Sequence, residues 1–292
     1  MIARALLPED FREELAGFID PNAENKEVGW ILAKQYHKIK GNFDKNLQIA
    51  VKNAAIKAVI LRALEILGPT RQPSKLKREI YRFGNDEIDL DTTFEQILGK
   101  RTCQVEDIIV ETREKKRKSC ALIVDTSLSM AGEKLATAAV AAAVLAIKLK
   151  NDKYSLITFD KKAKLIKGMN ERKDLEQVIG DFLDAPAKGY TNMEDGLRIG
   201  INELGKAITR NRFGVILTDG CCSGGFNPEK FAIKYPKLYV IMSAESEIMP
   251  EELEEDLELC RELARLGKGK MYRVENFNEV PRVLYNLLRE VA

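Results

Sequence analysis

Hydroxyl and carboxylate side chains alternate where an apolar segment of the chain ends. Residues 122–130 read Leu-Ile-Val-Asp-Thr-Ser-Leu-Ser-Met, so that Asp125, Ser127 and Ser129 occupy every second position. Alternate residues of an extended chain lie on one face, so these three oxygen side chains are able to converge on one point. Convergent oxygens are ligands for a hard cation, and Mg²⁺ takes about six of them at roughly 2.0–2.1 Å.

Two further oxygen side chains lie downstream in similar contexts. Thr191 belongs to Lys-Gly-Tyr-Thr-Asn-Met at 188–193, just before a helical pattern, and Asp219 follows the apolar run at 214–218. Taken singly, each of these residues is also typical of a turn or a helix N-cap. Taken together and in this order, they predict a site for Mg²⁺ or Mn²⁺ whose ligands are Asp125, Ser127, Ser129, Thr191 and Asp219.

This arrangement resembles the metal-ion-dependent adhesion site of von Willebrand factor type A domains, and the resemblance extends over about residues 119–290. It implies that the three hydroxyls coordinate the ion directly, while the two carboxylates act largely through bound water. The ion then keeps an open position that suits an Asp or Glu side chain of a partner protein. Many such sites carry Gly where this chain has Leu128. A side chain there either restricts the approach of a partner or forms part of the recognition surface.

The elements that must position these residues alternate between strand and helix. Strands are predicted at 119–125, 153–160, 213–219, 237–242 and 270–274, with a short one near 163–167, and helices at 132–150, 171–183, 193–208, 250–266 and 277–290. The strands are continuous apolar runs, as in a parallel sheet covered on both faces. This predicts an α/β fold with a doubly wound, mostly parallel, Rossmann-like sheet that binds ligands beyond the carboxyl ends of its strands. The resemblance implies that the strands ending at Asp125 and Asp219 are neighbours.

The first hundred residues have helical periodicity instead. It is found at 9–18, 26–40, 44–67 and 73–82, and it predicts three regions: a helical N-terminal domain over 1–100, a connecting strand and basic turn over 101–118, and a type A domain over 119–292. The helix predicted at 133–149 is apolar nearly all round, so its second side needs a cover. The N-terminal helices, a partner chain and close packing of its alanines on the sheet are the three alternatives.

Bulk composition points to a cytoplasmic protein without a nucleic-acid partner. Lys+Arg 47 against Asp+Glu 45 gives a net charge of +2, and the basic run at 114–118 is read as a solvated turn rather than a nucleic-acid patch. The apolar stretch at 135–147 is too short to span a membrane, and the chain opens without a signal peptide. The 32% of charged residues exceeds the roughly 25% of soluble domains, which fits a thermophilic source.

The cysteine pattern also favours the cytoplasm and argues against a zinc centre. The five cysteines form no Cys-x-x-Cys pair, and the one histidine, His37, lies far from all of them in sequence; they are Cys103, Cys120, Cys221, Cys222 and Cys260. We expect these thiols to be free, which points to a reducing cytoplasm. Cys120 lies in a predicted buried strand and is read as a small core residue.

Catalytic motifs are absent from the sequence. The chain has neither a Gly-x-x-x-x-Gly-Lys-Ser/Thr loop nor a Gly-x-Ser-x-Gly elbow, and Ser127 stands where an aspartyl phosphotransferase needs a carboxylate. We therefore expect a metal-dependent protein-interaction module and no enzyme. A scaffold with a purely structural metal is the alternative, and a metal-dependent hydrolase is less favoured.

A looser resemblance concerns the partner. Ile-Asp-Leu-Asp-Thr-Thr at 88–93, then the basic segment, then the Asp-x-Ser-x-Ser strand follow one another in the chain. This layout is similar to that of intracellular type A proteins that work beside MoxR-type AAA+ ATPases or in metal-chelatase complexes. The resemblance implies an adaptor for an AAA+ ATPase.

Overall fold

The computed structural model describes residues 26–40, 45–68, 76–81, 87–100, 102, 104–113, 117–186, 189, 191–220, 227–243 and 250–291. The chain divides into two compact units, one made of 1–68 and 118–292 and the other of 69–117. The predicted boundary near residue 100 therefore falls inside the second unit. The segment 9–18, with its predicted helix, lies outside the described residues.

Helices and strands alternate through most of the described chain. In chain order they are α1 (Lys26–Ile39), α2 (Lys45–Leu67), β1 (Leu76–Ile80), β2 (Glu87–Ile88), α3 (Leu90–Ile97), β3 (Ile109–Arg113), β4 (Lys118–Asp125), α4 (Glu133–Lys148), β5 (Lys153–Phe159), β6 (Ala163–Lys167), α5 (Leu175–Leu183), α6 (Met193–Gly205), β7 (Asn211–Thr218), α7 (Glu229–Ala232), β8 (Leu238–Ser243), α8 (Pro250–Leu266), β9 (Met271–Val274) and α9 (Val280–Glu290). None of the helices among these described residues is long and apolar enough to cross a bilayer.

The larger unit is built on a six-stranded sheet with the strand order β6-β5-β4-β7-β8-β9. All neighbouring strands run parallel except the edge pair β5 and β6, which is antiparallel. The central strands are buried almost along their whole length, because helices cover both faces of the sheet. The predicted mostly parallel, doubly wound sheet is confirmed.

The strand order reverses at the centre of this sheet, which decides where a ligand can bind. After β4 the chain adds β5 and β6 on one side, and it then returns to add β7, β8 and β9 on the other. The strands β4 and β7 pair directly, with Val124 opposite Leu217. Their carboxyl ends, followed by Asp125 and Asp219, therefore lie side by side at the crevice where α/β sheets bind ligands. The expectation that these two strands are neighbours is confirmed.

The N-terminal helices cover α4. Every residue from Leu135 to Ala146 is buried, since α4 packs against α1, α2, α5 and α9. Small alanine side chains let these helices approach closely, and one apolar cluster runs from α1 and α2 into the sheet. Hydrogen bonds to Asp184, just after α5, come from Tyr36 at 2.9 Å and from Lys52 at 2.6 Å. Three alternatives were considered for burying the second apolar side of this helix, and packing of the N-terminal helices is the one observed.

The smaller unit is a three-stranded antiparallel sheet with one helix. Its strand order is β1-β3-β2, and β3 lies where a strand was predicted. The helix predicted at 73–82 is wrong, because β1 occupies Leu76–Ile80 and pairs along its length with β3. In so short a segment the local periodicity does not distinguish helix from strand, and pairing with β3 decides.

The acidic segment 88–93 has a local structural role within this smaller unit. Asp89 is the N-cap of α3, where its carboxylate accepts hydrogen bonds from the Thr92 backbone N–H at 3.1 Å and from the Thr92 hydroxyl at 2.7 Å. Arg78 on β1 forms an ion pair with the same carboxylate at 2.8 Å. These contacts hold the pKa of Asp89 below its usual value, with the Thr92 hydrogen bonds as the main cause. Helix capping thus accounts for Asp89 and Thr92, whereas the Thr93 hydroxyl hydrogen-bonds to the Ile109 backbone.

Candidate metal centre

Asp125 is the innermost residue of the candidate site. It ends β4 with its side chain fully buried. One carboxylate oxygen accepts a hydrogen bond from the Ser127 backbone N–H at 2.8 Å, and the other accepts one from the Thr218 hydroxyl at 2.9 Å. Since Thr218 is the last residue of the neighbouring strand β7, two elements fix the orientation of this carboxylate.

The environment of Asp125 opposes its negative charge. Burial, and after it the nearby charge of Asp219, raise the pKa of this carboxyl to about 7, although the hydrogen bonds from Ser127 and Thr218 act in the opposite direction. Two carboxylates brought together in a buried place destabilise each other, and a cation beside them removes that cost. The electrostatics of the site therefore fit a bound divalent ion.

The two serines and Asp219 form a chain of hydrogen bonds. The Ser127 and Ser129 hydroxyl oxygens lie 3.0 Å apart, and Ser129 donates to Asp219 Oδ1 at 3.0 Å. A 3₁₀ turn over Leu128–Met130, with the Met130 side chain fully buried beneath it, brings the two hydroxyls together. Ser127 and Asp219 are buried and Ser129 is exposed, so the cluster opens to solvent on the side of Ser129.

Thr191 lies at the same edge of the sheet on a separate loop. It is buried and immediately precedes Asn192, the N-cap of α6, whose side chain accepts a hydrogen bond from the Asp195 backbone N–H at 3.1 Å. The Asn192 backbone N–H donates to the Asp160 carbonyl at 2.8 Å, just beyond β5. This bond holds the loop at the carboxyl end of a strand next to β4. Hydrogen bonds thus join Asp125, Ser127, Ser129 and Asp219 into one cluster, and Thr191 is positioned through its neighbour.

Sequence reasoning missed two residues of this cluster, Lys134 and Thr218. Lys134 Nζ lies 2.8 Å from Asp219 Oδ2, with the Asp219 side chain 4% exposed and that of Lys134 20% exposed. In the sequence Lys134 is only a charge that flanks an apolar stretch, although its position nine residues after Asp125 places it near any site there. Thr218 is hidden within the apolar run of β7, and only the pairing of β7 with β4 brings its hydroxyl to Asp125.

The chain's one histidine and its described cysteines are not part of the hydrogen-bonded cluster. The pKa of His37 on α1 is lowered to about 4, first by burial and then by Lys40, with Asp184 acting in the opposite direction. Cys120 and Cys260 are buried and neither is in a disulfide, and burial raises the pKa of Cys120 well above its usual value. Cys103, Cys221 and Cys222 lie outside the described residues.

The oxygens available at the site define what it is able to hold. Two carboxylates and three hydroxyls are hard ligands with at most two negative charges, and the described residues of the cluster include neither a thiol nor an imidazole. Such a donor set suits Mg²⁺ or Mn²⁺. The residues present at the carboxyl edge of the sheet therefore fit a divalent hard cation.

Comparison with known proteins supports the fold. Residues 120–221 match the family model of the von Willebrand factor type A domain. A mutant of the PilB minor pilin from Streptococcus sanguinis has a TM-score of 0.50 at 13% identity, covering 63% of this chain and 64% of its own. BatB from Bacteroides thetaiotaomicron has a TM-score of 0.46 at 19% identity, covering 60% of this chain and 98% of its own. Comparison with curated proteins gives no match.

These findings show what the chain is similar to. The matched segment holds all five candidate ligands, Asp125, Ser127, Ser129, Thr191 and Asp219, and it spans the centre of the sheet. The likeness to the PilB pilin shows a common fold and nothing beyond it, because the identity is low. The larger unit therefore has the fold of von Willebrand factor type A domains, with the N-terminal helices α1 and α2 packed on it.

Proposed function

We propose that the cluster holds one divalent cation, Mg²⁺ or Mn²⁺, and that the protein uses it to bind another protein. The hydroxyls of Ser127, Ser129 and Thr191 would hold the ion, with Asp125 and Asp219 supplying negative charge through bound water. The observation that supports this proposal is the meeting of two buried carboxylates with two serine hydroxyls at the crevice of the sheet. When bound, the ion supplies an electrophilic position for an incoming oxygen ligand.

The shape of the site favours a ligand that arrives from outside the chain. Ser129 is exposed at the mouth of the cluster, and Leu128 beside it is 68% exposed. This exposure leaves the Leu128 side chain accessible to a molecule that approaches the mouth of the site. We propose that a partner places an Asp or Glu carboxylate at the metal position while its neighbouring apolar residues contact Leu128. Leu128 is then part of the recognition surface.

A binding role fits these surroundings better than a catalytic one. The charges that act on His37 come from Lys40 and Asp184, neither of which belongs to the metal cluster. Ser127 and Ser129 hydrogen-bond to each other and to Asp219, so neither has a histidine as its base. We therefore propose that the protein is not an enzyme.

A purely structural metal is less well supported. Protein atoms alone already link Ser127, Ser129 and Asp219, and Lys134 supplies a positive charge to Asp219. The local fold therefore has its own hydrogen bonds and counter-ion, whereas structural metals commonly replace such contacts. An exchangeable ion that serves a partner agrees better with this arrangement.

We further propose that the partner belongs to a cytoplasmic complex built around an AAA+ ATPase of the MoxR type. The support is the sequence resemblance of 88–93 and the basic run to type A proteins of such complexes. The acidic part of that resemblance also has a structural explanation, since Asp89 caps α3. Identification of the partner therefore has to come from the metal site.

The experiment is affinity capture from an extract of the source cells, with three forms of the full chain. Wild type is compared with Ser129→Ala, which removes one hydroxyl ligand, and with Ser155→Ala, a matched control. The Ser155 hydroxyl is fully buried in β5 and has no hydrogen-bond partner among the described residues, so its removal should leave the fold intact.

We expect partners that wild type and Ser155→Ala retain in Mg²⁺, and that chelator or Ser129→Ala releases. A surplus of a small dicarboxylate such as glutarate should also release them, because it competes for the open position of the ion. Partners that stay bound in excess chelator and bind the Ser129→Ala protein equally well would show that binding does not run through the metal. If capture depends on the metal but is insensitive to dicarboxylate, the metal-dependent binding stands, and only the proposal that the partner supplies a carboxylate is refuted.

A further inference from the structure

The family resemblance assigns no role to the ion pair between Lys134 and Asp219. Asp219 Oδ2 lies 2.8 Å from the Lys134 ammonium, and Asp219 Oδ1 accepts the hydrogen bond from Ser129. Both oxygens of this carboxylate are thus engaged by the protein itself. The ammonium thus pairs with the same Asp219 carboxylate that would balance the charge of a divalent ion.

The position of Lys134 in its helix makes the pairing more informative. α4 begins at Glu133, directly after Gly132, whose positive φ of 88° turns the chain from the site into the helix. Lys134 is therefore the second residue of α4, at the end where a helix dipole favours anions and disfavours cations. Glu133 suits that end, and it forms an ion pair with Lys34 at 3.0 Å. The helix itself gives no reason for a lysine at position 134, whereas Asp219 does.

Space for the ammonium to move lies beside it. A cavity of about 220 Å³ is bordered by Ser129, Glu133, Lys134 and Asn278. The lysine side chain is flexible, with several rotatable bonds, and this cavity, which Glu133 also borders, gives it room to move away from Asp219. An ammonium displaced from Asp219 therefore keeps a partly compensated charge.

We propose that Lys134 is a tethered cation that competes with the divalent ion for Asp219 and so weakens the affinity of the site for the metal. The proposal rests on the proposed function, since it presupposes a metal at the cluster. In the metal-free protein the ammonium neutralises Asp219; when the ion binds, the ammonium withdraws into the cavity. When the metal leaves, the Lys134 ammonium again neutralises Asp219. The metal therefore exchanges readily.

Calorimetric titration of the chelator-stripped full chain with MgCl₂ and with MnCl₂ tests this competition. Lys134→Met keeps the length of the side chain and removes its charge, and Lys134→Arg keeps the charge. Lys150→Met, at an exposed position beyond the other end of α4, makes the same change of net charge away from the site. We expect Lys134→Met to bind the ion at least about tenfold more tightly than wild type, which corresponds to about 1.4 kcal/mol. Lys134→Arg and Lys150→Met should remain close to wild type.

Two outcomes separate the failure of this inference from the failure of the metal site. If wild type binds the ion and Lys134→Met binds it equally or more weakly, the competition is refuted while the metal site stands. If neither wild type nor Lys134→Met binds the ion, the metal site itself is refuted, and the competition with it.

A measurement on the wild-type protein avoids dependence on the folding of any variant. Lysine acetylation by a succinimidyl ester, read by mass spectrometry, reports how freely each ammonium is available. Lys134 should be protected in chelator and should react several-fold faster in Mg²⁺, while the rate at Lys150 stays constant. An unchanged or slower rate at Lys134 in Mg²⁺ would contradict its withdrawal from Asp219.

Discussion

Replacement of Asp125 by Asn should change how the stability of the metal-free protein depends on pH. Asparagine keeps the shape of the side chain: its amide oxygen accepts from the Ser127 backbone N–H, and its amide group donates to the Thr218 hydroxyl. That hydroxyl is free to donate instead to the Gly220 carbonyl, which lies 2.9 Å away. The substitution therefore removes an ionisable group and little else.

The sign and size of the effect follow from the raised pKa. Asp125 has a pKa of about 7 in the native protein against an ordinary value of 3.8. Between these values the native state holds a proton that the unfolded chain has released, so this group's contribution to stability falls as pH rises. The contribution is complete below the ordinary pKa and is lost as pH rises through the native one. From about pH 5.5 to 8 the loss is about 2 kcal/mol, at roughly 1.36 kcal/mol per unit of pKa.

His37 acts in the opposite direction over an overlapping range. Its native pKa of about 4 lies below its ordinary value of 6.5, mainly because of burial. The unfolded chain then binds a proton that the native state does not, so the contribution of His37 is present above the ordinary pKa and is lost as pH falls towards the native one. Wild type and Asp125→Asn share this histidine, and the difference between their stabilities isolates Asp125.

Urea unfolding in chelator, repeated across that pH range for both proteins, provides the measurement. The free energy of unfolding of wild type minus that of Asp125→Asn should fall by about 2 kcal/mol from about pH 5.5 to 8. Millimolar Mg²⁺ should restore the stability of wild type at the upper end and leave the variant unchanged, since only the native wild-type site binds the ion. Parallel pH profiles for the two proteins would refute the assignment of a destabilised carboxylate to position 125.

Three further predictions concern the scaffold. Gly200→Ala places a Cβ 2.3 Å from the Tyr235 hydroxyl and should lower the free energy of unfolding by about 1–3 kcal/mol, whereas Gly205→Ala meets nothing within 4 Å and should not destabilise; urea unfolding compares the two. Tyr36→Phe loses a 2.9 Å hydrogen bond and should cost about 1 kcal/mol by the same assay. Cys120, fully buried with a raised pKa, should resist iodoacetamide until the protein unfolds, as peptide mass spectrometry would show.

The sheet was predictable because its signals are local, whereas the adjacency of the strands that precede Asp125 and Asp219 was implied by the family resemblance. Each central strand is an apolar run between helical patterns, and β4, β7 and β8 lie within two residues of their predicted bounds. Parallel strands in such a fold end at one edge, so polar residues that directly follow two of them are expected to approach each other. Asp125 and Asp219 follow this rule.

The remaining features depend on contacts that the sequence does not display. The strand β1 forms by pairing with β3, although its own segment has helical periodicity. The hydroxyl of Thr218 reaches Asp125 only through the register of two strands, and Lys134 reaches Asp219 only after the turn at Gly132. Each of these arrangements joins residues far apart in the chain, and local pattern carries no information about such pairs.

The most direct measurement of the central claim is a crystal structure of the full chain grown with Mn²⁺, with data collected near the manganese absorption edge. The anomalous difference map should show one peak at the carboxyl edge of the sheet, within coordinating distance of the Ser127, Ser129 and Thr191 hydroxyls. The Lys134 ammonium should lie away from Asp219 in that crystal. A map without a peak among these hydroxyls, from crystals soaked to saturation in Mn²⁺, would contradict the metal site.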